Sequence, residues 1–125
     1  MERADILIVD DDEDIREMVA CVLEVHGHSA VTARNGLEAL RLLRETSTCP
    51  RLIFLDLRMP VMNGWQFLEH FAQLPRCSSI PVVVITADRS VVTRSLDRIA
   101  GFLLKPLNVS DILKAVGSYA SALPA

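Results

Sequence analysis

The chain contains four short runs of consecutive hydrophobic residues, and a polar residue directly follows each run. These runs span residues 6–9, 52–55, 82–85 and 102–104. Val, Ile, Leu and Phe runs without polar alternation are typical of parallel strands that are covered on both faces. A fifth, less regular segment at residues 28–33 predicts a short second strand. The pattern therefore predicts five strands in a buried sheet.

Between the strands, hydrophobic residues recur every three or four positions, which predicts amphipathic helices. The positions that define the five helices are Ile15, Met18, Val19 and Val22; Leu37, Leu40 and Leu43; Phe67, Leu68, Phe71 and Leu74; Val92, Leu96 and Ile99; and Val109, Ile112, Leu113 and Val116. Gly27 is a suitable C-terminal stop for the first helix, and Asn35 is the predicted N-cap of the second. Either Asn108 or Ser110 is expected to cap the last helix.

Strands that alternate with helices predict an α/β fold, in which a doubly wound parallel sheet carries helices on both faces. Right-handed crossovers and the flavodoxin-like strand order 2-1-3-4-5 place the first and third strands side by side. The chain has 125 residues and is 50% hydrophobic, which suits a single domain over residues 1–125. The small residues from about Ser118 onwards are expected to fray.

Charge and hydropathy argue against several classes of partner. The net charge is −3, and the Lys and Arg residues form no cluster, so nucleic acid and anionic membranes are poor candidates. No hydrophobic run approaches the roughly 18 residues that a membrane span requires. The segment at residues 1–5 contains acids and leads directly into a strand, so it does not resemble a signal peptide.

The three cysteines predict a reducing environment. Cys21, Cys49 and Cys77 are odd in number and far apart, without the close spacing of a zinc site. Cys21 is expected to pack on the inner face of the first helix. The simplest interpretation is a protein of the reducing cytoplasm.

The polar residues that follow the strands predict one shared site. Asp10 and Asp11 follow the first strand, Asp56 the third, Thr86 the fourth and Lys105 the fifth. Ligands of open parallel sheets bind outside the carboxyl ends of the strands, where the strand order reverses. Carboxylates that lie close together repel one another, and a cation commonly neutralises such a cluster. Hard oxygen ligands in a small crevice favour Mg²⁺.

A hydroxyl and an ammonium group beside these carboxylates predict phosphoryl-transfer chemistry. Such a site needs a carboxylate nucleophile, a metal and a lysine to balance charge, and a hydroxyl for the product. Other interpretations are open for single residues. Asp12 and Asp14 are also the acids expected at a helix N-terminus, and Lys105 could extend along the surface into solvent. The Lys105–Pro106 bond could be cis and redirect the lysine.

The chain resembles the receiver domains of bacterial two-component response regulators along essentially its whole length. The matching segments are Ile6-Leu7-Ile8-Val9-Asp10-Asp11, Asn35-Gly36-Leu37-Glu38-Ala39-Leu40, Leu55-Asp56-Leu57-Arg58-Met59-Pro60 with Asn63-Gly64, Ile85-Thr86-Ala87, and Leu104-Lys105-Pro106. Each segment alone is weakly specific, whereas all five in this order are highly specific.

The resemblance implies a role for each matching residue. Asp56 would accept a phosphoryl group from a histidine kinase or a phosphotransfer protein. Asp11, Asp56 and the backbone carbonyl of Arg58 would bind Mg²⁺, and Asp10 would act mostly through water. Thr86 and Lys105 would bind the phosphoryl oxygens. The domain would then be a regulatory switch that catalyses its own phosphoryl transfer and dephosphorylation, either alone or within a hybrid kinase or larger regulator.

Signal output is expected at the face made by the fourth helix, the fifth strand and the fifth helix. The family's switch aromatic falls on Phe102, where Tyr is more common. Lys105 follows Thr86 by 19 positions, a few fewer than is usual in the family, so the fourth helix should be short. No DNA-binding helix pair follows Lys105, so output through protein contact is expected. Arg58 and Asp88 should rim the site with opposite charges and tune the lifetime of the phosphoryl group.

Two other classes of protein compete with this interpretation. A flavodoxin-like cofactor-binding protein would need a Ser-, Thr- and Gly-rich loop after the first strand. The acidic residues Asp11, Asp12, Glu13 and Asp14 occupy that position and would repel phosphate without a metal. A phosphatase with an aspartate nucleophile usually needs a second acid two residues further on, where this chain has Arg58.

Overall fold

A computed structural model of the protein describes residues 5–92 and 99–120. The strands are β1 (Ile6–Val9), β2 (Ala30–Ala33), β3 (Leu52–Asp56), β4 (Val82–Thr86) and β5 (Gly101–Leu104). The helices are α1 (Glu13–Val25), α2 (Gly36–Glu45), α3 (Gly64–Phe71), α4 (Arg89–Val92) and α5 (Val109–Ala115). Within the described residues, no helix is both long enough and apolar enough to cross a membrane.

The five strands form one parallel sheet in the order β2-β1-β3-β4-β5, which confirms the predicted topology. Val9 pairs with Leu55, Asp56 with Ile85, and Thr86 with Leu104. Because the strands are parallel, the residues that follow β1, β3, β4 and β5 all emerge at the same edge of the sheet.

The core lies on both faces of this sheet, which explains the uninterrupted hydrophobic runs. Leu7 and Val9 pack with α2 and α3 on one face, whereas Ile6 and Ile8 pack with α1 and α5 on the other. Every residue of β1, β3 and β4 is buried, but β5 at the edge is only partly buried. The acidic residues of the candidate site lie at the ends of two of these buried strands, with Asp56 closing β3 and Asp10 and Asp11 following β1.

Helix caps agree with the polar residues that precede each helix. Asn35 caps α2 and Asn108, rather than Ser110, caps α5. Asn63 begins α3 with a capping box in which Gln66 bonds back to the Asn63 N–H. Gly27 follows α1 with a positive φ of 86°, a conformation that glycine adopts without steric cost.

The end of the chain contains one element that the sequence pattern did not predict. A π-helical turn, Val116–Ala120, continues α5, and both Val116 and Ala120 are buried. Residues 118–120 thus belong to a turn that packs against the sheet. The expected fraying of the tail stays a prediction, since residues 121–125 lie outside the described residues. Only Arg89–Val92 of the fourth helix is described, so the prediction for Leu96 also lies outside.

The cysteines also differ from the prediction. Cys49 and Cys77 form a disulfide between the α2–β3 loop and the α3–β4 loop. The two cysteines are 28 residues apart, so their spacing in the sequence does not indicate that they pair. They meet because successive crossovers bring the two loops to the same edge of the sheet. Disulfides persist in oxidising compartments, so cysteine usage gives no support to a reducing cytoplasm. Cys21 is exposed rather than packed inward.

Candidate functional site

Three acidic side chains meet at the carboxyl edge of the sheet. One ligand atom from each of Asp10, Asp11 and Asp56 lies within 4.8 Å of the others. Asp10 is fully buried and Asp56 is 5% exposed, whereas Asp11 is exposed. The switch in strand order between β1 and β3 therefore brings together the three carboxylates that the sequence predicts there.

The backbone and side chain of Asp10 are held by three contacts. Its N–H donates to Ala33 O at 3.1 Å, and its Oδ1 accepts a hydrogen bond from Asp12 N at 2.9 Å. Its carbonyl oxygen accepts a hydrogen bond from Arg16 Nη1 at 2.8 Å. The second carboxylate oxygen, Oδ2, is buried and accepts no hydrogen bond from the described residues. A nearby cation stabilises a buried carboxylate oxygen in this state.

Lys105 supplies one cation to the site. Its Nζ lies 3.5 Å from Asp10 Oδ2 and 3.7 Å from Asp56 Oδ2, and its side chain is only 25% exposed. The Lys105 N–H donates to Thr86 O at 2.9 Å, and the Lys105–Pro106 bond is cis. The side chain therefore points into the acidic cluster and does not extend into solvent.

One ammonium group does not balance three neighbouring carboxylates. Burial, together with the negative charge of Asp10, raises the pKa of Asp56 from 3.8 to about 6, although Lys105 lowers it. Burial also raises the pKa of Asp10, against the lowering effects of the Asp12 N–H and of Lys105. The three carboxylates fit a small hard cation such as Mg²⁺, and Asp10 Oδ2, although paired with Lys105, accepts no hydrogen bond from the described residues.

Thr86 and the Arg58–Asp88 pair lie at the rim of the same crevice. The Thr86 side chain is buried, and its Oγ1 accepts a hydrogen bond from Asp88 N at 3.0 Å. Arg58 Nη2 lies 3.7 Å from Asp88 Oδ2, and the Arg58 side chain is 85% exposed. The Arg58 N–H donates to Asp56 Oδ1 at 3.3 Å. The opposite charges predicted at the rim are therefore paired across the opening.

The crevice is open to solvent and has a volume of about 510 Å³. Its lining residues are Asp11, Asp12, Asp56, Arg58, Thr86, Ala87, Asp88 and Lys105. Asp12 has a local role as well, since its Oδ1 caps α1 through Asp14 N at 2.9 Å and Ile15 N at 3.4 Å. Asp12 therefore lies at a helix N-terminus, as the alternative interpretation predicts, and it also serves as the N-cap.

Phe102 lies on β5 opposite Val84, behind the crevice. It is partly buried and packs against a small cluster of Leu57, Val84 and Val91, against which Trp65 also packs. Phe102 also lines a shallow groove between β5 and α5. It therefore contacts both the core beneath the site and an outer face of the domain.

The sequence did not predict the roles of two residues that support the site, Gly64 and Arg16. A Cβ at Gly64 would lie 2.7 Å from both Asp56 O and Leu57 Cα, so only glycine lets α3 begin this close to β3. Arg16 binds Asp10 O from the first turn of α1. The sequence does contain a sign that Arg16 has a special role, because the helix dipole disfavours a positive charge near a helix N-terminus.

Comparisons with curated proteins find relatives along the whole chain. It is 33% identical to an uncharacterized 14.6 kDa protein in the sodA1 3' region of Leptolyngbya boryana, over 99% of this chain and 95% of that protein. It is 30% identical to protein PilH of Pseudomonas aeruginosa, over 92% of this chain and 96% of PilH. It is 34% identical to a CpxR homolog of Haemophilus influenzae, a transcriptional regulatory protein of which it spans only 48%.

Solved structures show the same fold. The receiver domain of a signal transduction histidine kinase from Syntrophus aciditrophicus matches with a TM-score of 0.82 and 32% identity, over 97% of this chain and 92% of that one. The chemotaxis protein CheY4 of Vibrio cholerae matches with a TM-score of 0.79 and 28% identity, over 94% and 99% of the two chains. The family model of the response regulator receiver domain matches residues 6–117. The chain therefore belongs to the receiver domains of two-component response regulators.

Proposed function

We propose that this receiver domain is a phosphorylation-activated switch whose phosphoacceptor is Asp56. A histidine kinase or a phosphotransfer protein would donate the phosphoryl group, and the reaction would depend on Mg²⁺. The observation that carries the proposal is the arrangement of Lys105 Nζ within 3.7 Å of both Asp10 and Asp56, at the mouth of a buried acidic cluster. Each group has a separate task in phosphoryl transfer.

Asp56 is the carboxylate best placed to react. Its oxygen would form a bond to phosphorus while the phosphorus–nitrogen bond of the donor phosphohistidine breaks, and the imidazole leaves with a proton. Asp56 lines the crevice through a side chain that is 7% exposed, whereas Asp10 does not line it. Lys105 would remain beside the new phosphoryl oxygens, and the Thr86 hydroxyl would turn inward to donate to one of them.

Asp11, Asp56 and the Arg58 carbonyl would bind Mg²⁺ directly, and Asp10 would do so mostly through water. When bound, Mg²⁺ supplies positive charge that offsets the negative charge of the carboxylates and the phosphoryl group. Asp10 Oδ2 supports this assignment because it is buried and, apart from its ion pair with Lys105, has no hydrogen-bond partner in the described residues. The Arg58 N–H already donates to Asp56 Oδ1, which fixes the loop that carries the Arg58 carbonyl.

Uptake of phosphate from phosphoramidate, a small donor with a phosphorus–nitrogen bond, tests this function. With Mg²⁺, the wild-type protein should gain one phosphoryl group, and hydroxylamine should remove it as expected for an acyl phosphate. EDTA should prevent the gain. No uptake at any Mg²⁺ concentration, or uptake that hydroxylamine does not reverse, would contradict the proposal.

The Arg58–Asp88 pair should lengthen the lifetime of the phosphoryl group by hindering the attacking water. Exposed ion pairs contribute about 0–1 kcal/mol, so Arg58→Ala should speed loss of the phosphoryl group by at most about fivefold. Intact mass spectra taken after removal of the donor follow this decay. Arg41→Ala, which removes an exposed arginine from α2, is the control. Unchanged or slower decay in Arg58→Ala would refute the role.

Phosphorylation should be transmitted through Thr86 and Phe102 to the face formed by α4, β5 and α5. An inward turn of Thr86 leaves space beside β4, and Phe102 is the partly buried side chain on β5 that can fill it. The phosphorylated and unphosphorylated domains would then differ in how often Phe102 occupies its inward and outward positions. A protein partner would bind one of these two forms more tightly. The two forms would share the same fold.

Amide exchange with and without beryllofluoride and Mg²⁺ measures this change. We expect altered exchange in residues 99–104 and in α4, while α2, which packs against β1 and β2 at the other end of the sheet, stays the same. Phe102→Ala should weaken the change on the outer face without preventing occupation of Asp56. Identical exchange in both segments while Asp56 is occupied would exclude this route.

A further inference from the structure

Arg16 makes a contact that helix stability does not explain. It lies in the first turn of α1, after Glu13 and Asp14, where the helix dipole disfavours a positive charge. Its side chain is nevertheless partly buried, and Nη1 donates to Asp10 O at 2.8 Å. We therefore explain this hydrogen bond by its effect on the Asp10 carbonyl, which it holds in place.

Together with two other hydrogen bonds, Arg16 holds the backbone around the Asp10–Asp11 peptide bond in one orientation. The Asp10 N–H is bound by Ala33 O, and Asp10 Oδ1 is bound by Asp12 N. The Asp10 carbonyl belongs to the peptide group that leads into Asp11, and in the described residues Arg16 is the side chain that binds it. Loss of this bond would free the peptide plane to rotate, and the exposed Asp11 carboxylate would turn with it.

We propose that Arg16 is a positioning residue, which aims the Asp11 carboxylate at the metal site by holding the Asp10 carbonyl. The inference rests on the proposed Mg²⁺ dependence. In this role the guanidinium does not touch the metal or the phosphoryl group. Its planar donor geometry and its partly buried position keep the β1–α1 loop in one conformation.

A simple electrostatic role predicts the opposite result. Arg16 is a cation close to several acids, so its removal would make the site more negative and would tighten Mg²⁺ binding. Under the positioning role, Arg16→Met weakens binding although it removes a competing positive charge. Arg16→Lys keeps the charge but lacks the planar fork, so it isolates the geometric contribution.

Titration calorimetry with Mg²⁺ alone distinguishes the two roles. Substitutions next to metal ligands typically cost about 10–100-fold in affinity, and we expect about tenfold for Arg16→Met and a smaller loss for Arg16→Lys. Arg44→Met is the control, because Arg44 is exposed on α2, which contributes no residue to the crevice. Binding by the control should equal that of the wild type.

Equal or tighter Mg²⁺ binding by Arg16→Met, or unchanged binding by Arg16→Lys, would overturn the positioning role. Circular dichroism at the titration temperature ensures that only folded protein is compared. If Arg16→Met does not fold, Arg16→Lys decides alone. A wild-type protein that binds no Mg²⁺ would instead refute the proposed function, so the two failures are distinguishable.

Discussion

Replacing Asp56 by Asn should raise the free energy of unfolding of the metal-free protein by about 3 kcal/mol at pH 7. Burial and the Asp10 charge raise the pKa of Asp56 from 3.8 to about 6 in the folded state. Ionisation of this carboxyl therefore opposes folding, and Asn removes that cost while keeping the size of the side chain. The phosphoacceptor would be a residue at which the chain sacrifices stability for chemistry.

The same raised pKa predicts how the effect depends on pH. A raised folded-state pKa contributes stability that is present below pH 4 and is lost as the pH rises through about 6. Urea unfolding in EDTA should therefore show a wild-type stability that falls between pH 4 and pH 7 more steeply than that of Asp56→Asn. Glu24→Gln, an exposed change on α1, should follow the wild type. An Asp56→Asn protein that is no more stable at pH 7 would contradict the account.

Replacing Asp11 by Asn should weaken Mg²⁺ binding by about 100-fold, a loss at the upper end of those seen for residues that support a metal site. Asp11 is the exposed member of the carboxylate cluster, so it can reach a cation in the crevice while Asp10 stays buried. An amide oxygen in its place is a weaker ligand without charge. Titration calorimetry on the folded variants measures the loss directly.

Asp12→Asn provides a closely matched control for this result. It removes the same charge one position further along the chain, and Asn keeps the capping bonds that Asp12 accepts from Asp14 N and Ile15 N. We expect its Mg²⁺ affinity to fall by no more than a few-fold. Equal losses in the two variants would mean that the cation responds only to the overall negative charge of the loop.

The sheet and the acidic site were predictable because each depends on a local pattern. Val9 and Leu55 end uninterrupted hydrophobic runs, and the polar residues that follow are fixed in space once the strands are parallel. Asn35 was identifiable as a cap because its short side chain reaches a backbone N–H three residues further on. These features need no knowledge of distant contacts.

The missed features depend on tertiary contacts or on the side of a helix on which a residue falls. Cys49 and Cys77 meet only because two crossovers end at the same edge of the sheet. Cys21 lies two positions after the buried Val19, which is about 200° around a helix and therefore on the opposite side. The need for Gly64 arises from the close approach of α3 to Asp56 O, which no local pattern reveals.

The position of the phosphoryl group is the most direct test of the central claim. Wild-type protein treated with phosphoramidate and Mg²⁺ can be reduced with borohydride, which converts a phosphorylated aspartate to homoserine, and then digested for peptide mass spectrometry. We predict homoserine at position 56 alone, and no homoserine in Asp56→Asn treated in the same way. Homoserine at Asp10 or Asp11 of the wild type, or equal conversion in Asp56→Asn, would contradict the assignment of Asp56 as the phosphoacceptor.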